Sequence, residues 1–295
     1  MAREVAAMRI AIIGGDRRAI LLARLLAQDG NRVRSFALEK AESIPRVYGA
    51  GCLQGCVYGA QVVVLPIPVE RGGILNAPYS EVKIPVDDVL SALWQGQIVC
   101  GGAFGERFHA LAFQNGLTEA DLMKRESFAL GNAFITAEGA AECLKSLSDR
   151  AIWHSSVLVT GWGRVGKACA KTLSAMGAAV AVAARKASAR AEAALCGCAV
   201  LEPEMISAVI DGFDFIVNTV PACVLDNKTL ELASAESVIL DLASSPGGFD
   251  GAYAEALGLR AATAPGLPGR YAPQAAAELM RDEIYAIVSE LEMGE

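Results

Sequence analysis

The chain has 295 residues, 53% hydrophobic and 20% charged, with 26 Lys and Arg against 33 Asp and Glu, for a formal net charge of −7. That length and apolar share suit two folded domains and exclude a disordered chain, and the acidic balance without Lys/Arg clusters argues against a nucleic-acid surface. The mean hydropathy of +0.36 comes mostly from alanine, and no apolar run nears the roughly 18 residues of a membrane-spanning helix.

The opening stretch MAREVAAMRIAIIGG carries Arg3, Glu4 and Arg9, and its short apolar run ends in glycines. It predicts a first strand, not a signal peptide, and hence a cytoplasmic protein. Strand-like runs at 8–15, 31–38, 60–68 and 97–102 alternate with helical patterns at 17–30, 87–96 and 105–116. Such alternation predicts a parallel sheet covered on both faces. Between 66 and 86 the sequence is rich in Pro and Gly and reads as a long irregular loop, a candidate lid or substrate wall.

Residues 136–150 read as a linking helix with Thr136 as N-cap and Glu138 in the first turn, where a carboxylate complements the helix dipole. A second alternation follows, with strands expected at 155–161, 178–185, 213–221, 237–244 and 259–266 and helical patterns at 164–177, 188–197, 202–212, 227–234 and 251–258. The tail from 272 to 292 has Pro273 in its first turn, and Leu279, Ile284, Ile287 and Leu291 fall at helical spacing. The expectation is an α/β protein of two Rossmann-like, doubly wound parallel-sheet domains with a cleft between them. Residues 1–135 would bind substrate, 136–271 would bind cofactor, and 272–295 would pack back on the first domain. The tail helix could also serve a homo-oligomer contact.

The strongest motif is Gly161, Gly163 and Gly166 in VLVTGWGRVG, a G-x-G-x-x-G with Arg164 and Val165 completing the turn. It follows a strand and opens a helix, which is the context a dinucleotide site needs. The first glycine allows the tight turn, the second lets a pyrophosphate approach, and the third lets helix and strand pack closely. About 20 residues on, where NAD enzymes place an acid for the ribose 2′-hydroxyl, the chain has Arg185, Lys186 and Ser188, which favours NADP. Asn218, Thr219 and Pro221 follow one strand, and Asp241, Ala243 and Ser244 another; ligands of open α/β sheets bind at such strand ends. The first-half turn IIGGDRR lacks a third glycine and puts Asp16 where a phosphate would sit, so it makes a poor dinucleotide site.

Eight cysteines, at 52, 56, 100, 143, 169, 196, 198 and 223, show no metal-ligand spacing and read as reduced core thiols. His109 and His154 each stand among apolar neighbours and read as structural.

Taken in order, GGDRR, NAPYS, N-x-x-x-TAEG at 132–139, GWGRVG, AARK, NTVP and LDLASSPGGFDGAYAEALGLRAATAPGLPGRYAP at 240–273 resemble the A subunits of bacterial dipicolinate synthase. The likeness runs along nearly the whole chain, and DLASSPGG followed by APGLPG is its most specific part. The resemblance implies an NADP-dependent oxidoreductase that converts hydroxylated tetrahydrodipicolinate into dipicolinate. It further implies a partner, the flavoprotein-like B subunit of the same synthase, with expression in the mother cell during sporulation. A substrate with two carboxylates calls for an arginine: Arg18 in the GGD-x-R turn is the first choice, with Ser80, Asn132 and Thr136 as hydrogen-bonding partners. Glu138 and Asp16 are candidate proton acceptors, each with a capping or turn role as the plainer reading. Pro265 and Pro268 would shape the floor near the nicotinamide. Ile135 and Arg270 depart from the family pattern. Two alternatives stay open: another NADP-dependent dehydrogenase of shikimate or alanine dehydrogenase type, or a catalytically silent NADP-binding regulatory protein. The Lys–Asp pair and Ser-x-Ser motif of the shikimate enzymes are not found.

Overall fold

The computed structural model describes residues 7–294, so the charges at Arg3 and Glu4 lie outside the described residues. The chain divides into two units, one running up to Ala129 and resuming at Ala272, the other Leu130–Tyr271.

In the first unit, β1 (Arg9–Ile13) leads into α1 (Arg17–Gln28), β2 (Arg32–Phe36), β3 (Val47–Gly49), α2 (Leu53–Val57) and β4 (Val62–Val64). A ribbon of β5 (Glu70–Arg71) and β6 (Ile74–Leu75) precedes α3 (Val86–Ser91), β7 (Ile98–Gly101), α4 (Glu106–Gln114) and β8 (Thr118–Asp121). The main sheet is parallel, in the order β3-β2-β1-β4-β7-β8. Its central strands are continuous apolar runs because both faces are covered, as in RIAII and VVV.

The second unit repeats the plan. A long helix α5 (Glu126–Leu147) runs into it, followed by β9 (Ser156–Thr160), α6 (Arg164–Ala175), β10 (Ala179–Ala183), α7 (Ala187–Leu195) and β11 (Ala199–Leu201). Then come β12 (Phe215–Asn218), α8 (Asn227–Glu231), β13 (Val238–Asp241), α9 (Gly251–Ala256), β14 (Arg260–Thr263) and α10 (Leu267–Tyr271). All six strands are parallel, in the order β11-β10-β9-β12-β13-β14, the doubly wound arrangement with its switch point between β9 and β12.

The closing helix α11 (Pro273–Gly294) belongs to the first unit and packs on α1, pressing Ala277, Met280, Ile284, Ile287 and Val288 against Leu22, Ala23 and Leu26. Of the four predicted apolar positions, Ile284 and Ile287 are buried, Leu279 is half-buried and Leu291 is exposed. A polar clamp reinforces the packing: Glu283, 5% exposed, ion-pairs with Arg125 and accepts from the Ser127 hydroxyl at 2.7 Å.

Several local expectations are corrected. The helix expected from Thr136 begins earlier, at Glu126, because Phe128, Ala129, Ala133, Ala137, Ala140 and Leu144 supply a buried face throughout. Thr136 therefore lies inside the helix, its hydroxyl donating to the Asn132 carbonyl at 2.7 Å, and Glu138 is an exposed mid-helix residue remote from the positive end of the dipole. The irregular stretch 66–86 contains the antiparallel ribbon, whose glycines Gly72 (φ 61°) and Gly73 (φ 78°) form the turn. Residues 203–212 form 3₁₀ turns and not a helix. β3, α2, β8, β11 and α10 were not expected, being too short to show a period. His109 is not alone: its Nδ1 lies 2.5 Å from Glu119 Oε2 and its Nε2 3.2 Å from Lys124 Nζ.

Among the described residues no helix is long and apolar enough to cross a membrane, and no cluster of metal-ligating side chains occurs. Cys56, Cys100, Cys143, Cys169 and Cys198 are buried, and burial pushes the thiols of Cys56, Cys100 and Cys169 up to about 12. In the folded protein at pH 8, a thiol reagent such as dithionitrobenzoate is expected to titrate Cys52, Cys196 and Cys223 quickly and the remaining five only after unfolding. Fast reaction of a fourth or fifth thiol in the native state would contradict this burial.

Candidate functional site

The second unit carries the site. Its crevice of about 350 Å³ opens at the carboxyl ends of β9, β10 and β12, between Gly161, Trp162 and Gly163 on one side and Arg185, Lys186, Thr219, Val220 and Pro221 on the others. The three glycines have separable physical roles. Gly161 sits at φ +91°, and a Cβ there would lie 2.7 Å from the Thr219 hydroxyl, so a side chain is excluded twice over. At Gly166 a Cβ would stand 2.4 Å from the Gly161 carbonyl oxygen, so only glycine lets α6 start this close to β9. Gly163 differs: a Cβ there would meet nothing within 4 Å. Packing does not require glycine at 163; an approaching ligand would. As N-cap of α6 without a side-chain cap, it leaves the amides of the first turn directed at whatever occupies that space. These residues fit a dinucleotide.

Arg185 and Lys186 follow β10 and are exposed, Lys186 capping α7 by its backbone. Arg190, which sequence reading missed, fixes this corner: its guanidinium donates to the carbonyls of Ala184 (2.8 Å) and Arg185 (2.9 Å) and to Glu202 (2.6 Å). A basic residue in the first turn of a helix, where the dipole disfavours it, was the available signal.

Asn218 does not line the crevice. It is fully buried, its Oδ1 accepting from the Thr160 hydroxyl (2.5 Å) and the Val220 N–H (3.1 Å), its Nδ2 donating to the Val220 carbonyl (3.0 Å) and Asp241 (2.7 Å). Asp241 also accepts from the backbone N–H groups of Ala243 (2.9 Å) and Gly248 (2.7 Å). The pair ties the ends of β9, β12 and β13 together under the crevice. Thr219 and Pro221 do line it, the Thr219 hydroxyl donating to the Thr160 carbonyl at 2.7 Å. Arg164 and Val165 lie in the first turn of α6, Val165 against the core; Ala243 is buried, and Ser244 and Pro265 are exposed on neighbouring loops.

The corresponding turn of the first unit is filled. Gly15 donates to the Asn76 carbonyl at 3.0 Å, and a Cβ on Gly14 would lie 2.9 Å from Ala77 and Leu75, so the NAPYS segment covers the turn. The remaining cavity, about 10 Å³, is too small for a dinucleotide. Asp16 caps α1 and is paired with Arg18 by bonds of 2.8–3.1 Å, and Arg18 also donates to the Ile67 carbonyl at 2.7 Å. Arg18 is 8% exposed, and its Nη1 makes no hydrogen bond among the described residues. Ser80 is buried and accepts from the Val82 N–H at 3.2 Å, whereas Asn132 is half-buried with a side chain that meets no partner among the described residues. Asp16, Arg18 and Ser80 thus belong to the first unit, and Asn132, Thr136 and Glu138 to the second.

Two parallel-sheet plans, one carrying a dinucleotide crevice, define a pyridine-nucleotide oxidoreductase. In agreement, residues 133–243 match the NAD binding domain of D-isomer specific 2-hydroxyacid dehydrogenases, and residues 9–123 match the N-terminal domain of the dipicolinate synthase A subunit. Along nearly its whole length the chain is similar to the A subunits of dipicolinate synthase. It is 28% identical to the A subunit of dipicolinate synthase from Bacillus subtilis (strain 168) over 98% of each chain. The crystal structure of the A subunit from Bacillus halodurans superposes with a TM-score of 0.85 at 27% identity, covering 95% of this chain and 97% of the other. An L-alanine dehydrogenase shares the fold alone, with a TM-score of 0.66 at 13% identity over 97% and 90% of the two chains.

Proposed function

We propose that this protein oxidises a hydroxylated tetrahydrodipicolinate to dipicolinate with NADP as acceptor, in the cytoplasm of the sporulating mother cell, together with a flavoprotein-like B subunit. The observation that carries the cofactor choice is the end of β10, where Arg185 and Lys186 stand exposed and no carboxylate among the described residues lines the crevice. A guanidinium there binds a 2′-phosphate by charge-assisted bonds that a 2′-hydroxyl cannot match.

The bound nucleotide supplies a two-electron hydride acceptor. Loss of water from the hydroxylated ring gives a dihydropyridine, and loss of one hydride and one proton leaves the aromatic dicarboxylate, so the chain's main task is orientation. The amides after Gly163 and the Arg185 side chain hold the carrier. Asn132, half-buried, offers a hydrogen bond from α5, whereas the buried Thr136 hydroxyl is already given to the Asn132 carbonyl. Arg18 takes a substrate carboxylate through its uncommitted Nη1 while Asp16 keeps the guanidinium in place. Asp16, so engaged, serves as holder more readily than as base, and Glu138 is the remaining carboxylate for accepting the ring proton.

The test mixes the purified chain, with and without the partner protein, with freshly generated substrate and NADP⁺, and follows pyridine absorbance. Product is expected in at least one mixture; none in either sinks the reading. Arg185→Asp is expected to weaken NADP binding about 100-fold while sparing NAD, since one or two charge-assisted bonds of about 1.5–3 kcal/mol each are lost. Equal weakening of both nucleotides would remove the argument for NADP.

A further inference from the structure

A second pocket lies in the same unit on the other side of Trp162. It measures about 500 Å³ and is walled by Leu130 and Phe134 of α5, by Trp162 and by the outer stripe of α6. Leu130 and Phe134 are one helical turn apart, so both present to the same face, where they remain 43% and 42% exposed. The floor is Ala168 and Ala170, whose methyl groups are too small to fill the space.

The charges around it are one-sided. Lys167 and Lys171 bring two cations to the α6 wall against one lining carboxylate, Glu192, which pairs with Lys167 at 2.6 Å and is held below the usual carboxylate range by that lysine. The Lys171 ammonium lies 5.4 Å from the Phe134 ring centroid and that of Lys167 5.9 Å from Trp162. Lys171 has no carboxylate within ion-pair distance among the described residues. Among the described residues the buried indole Nε1 of Trp162 meets no acceptor in hydrogen-bond geometry, although the Glu192 carboxylate lies close by.

We propose that this pocket binds a small aromatic carboxylate, with its ring against Phe134 and Trp162 and its acid group on the Lys171 and Lys167 ammoniums. Two ring faces in an apolar concavity of this size select a planar apolar body. The Lys171 ammonium, which has no carboxylate partner among the described residues, selects an anion, and a carboxylate borne on an aromatic ring matches that point charge beside the apolar walls. Trp162 is the second residue of the glycine turn and also lines the cofactor crevice, so an occupant here touches a residue whose other side faces the nucleotide. The proposal does not depend on which molecule is oxidised.

The experiment is calorimetric titration with 1-naphthoate, using cyclohexanecarboxylate as the non-aromatic control, with and without saturating NADP. One molecule of naphthoate is expected to bind per chain at a Kd of about 1 mM or tighter, in the presence of NADP, and at least about tenfold more tightly than the control. Phe134→Ala and Lys171→Glu, both at exposed positions, are each expected to weaken it at least about tenfold with unchanged melting temperature and NADP affinity. The proposal is overturned if NADP abolishes naphthoate binding, if the folded variants bind like the parent, if the control binds equally well, or if no binding is detected at millimolar concentration.

Discussion

Gly163→Asp is expected to abolish nucleotide binding while leaving the fold intact. The Cβ direction at this position is open for 4 Å, and its φ of −82° is accessible to any residue. Aspartate is moreover a better N-cap than glycine, so α6 should gain a few tenths of a kcal/mol. The same carboxylate would stand where the pyrophosphate must sit, replacing attraction to the helix N-terminus by repulsion between anions. A loss of at least about 100-fold in NADP affinity follows, or about 2.8 kcal/mol. The check is calorimetry beside thermal unfolding. Gly166→Ala is the contrast: with a Cβ 2.4 Å from the Gly161 oxygen, α6 must move, and stability and binding should fall together. If Gly163→Asp bound NADP normally, the nucleotide would have to lie elsewhere.

Asn218→Ala is expected to destabilise the second unit by about 3 kcal/mol, because it strips partners from the Thr160 hydroxyl, the Val220 backbone and Asp241 in a fully buried site. For a unit of this size that amounts to a drop of about 6–12 °C in melting temperature. Asp241→Asn should act in the same direction, since an amide cannot accept from Asn218, Ala243 and Gly248 together without presenting a donor to a donor. A direct cofactor contact predicts the reverse pattern, weaker NADP binding at an unchanged melting temperature. Thermal unfolding with and without NADP separates the two.

Particular residues show what was readable in advance. The glycine turn and both alternations were legible because parallel strands buried on both faces leave continuous apolar runs, and because Gly161 needs a positive φ and Gly166 must clear the Gly161 carbonyl five residues before it. The true start of the helix through Thr136 was not legible: only the packing of Phe128 in the first unit's core carries the helix back to Glu126. The role of Asn218 was equally hidden. Its place at a strand end suggested a ligand contact, but whether an amide faces a crevice or turns beneath it depends on Asp241, 23 residues away.

The amino-acid sequence by itself determined two parallel α/β plans, the position of the dinucleotide turn, the basic residues after β10 and the resemblance to dipicolinate synthase A subunits, because each rests on local spacing or on motif order along the chain. Only the tertiary structure decided that the first turn is plugged by Ala77 and Leu75, that Arg18 is held by Asp16 and Ile67, and that Asn218 is a tie and not a contact. Those outcomes depend on which distant side chains fill the space above each strand end, and no periodicity within a segment encodes them.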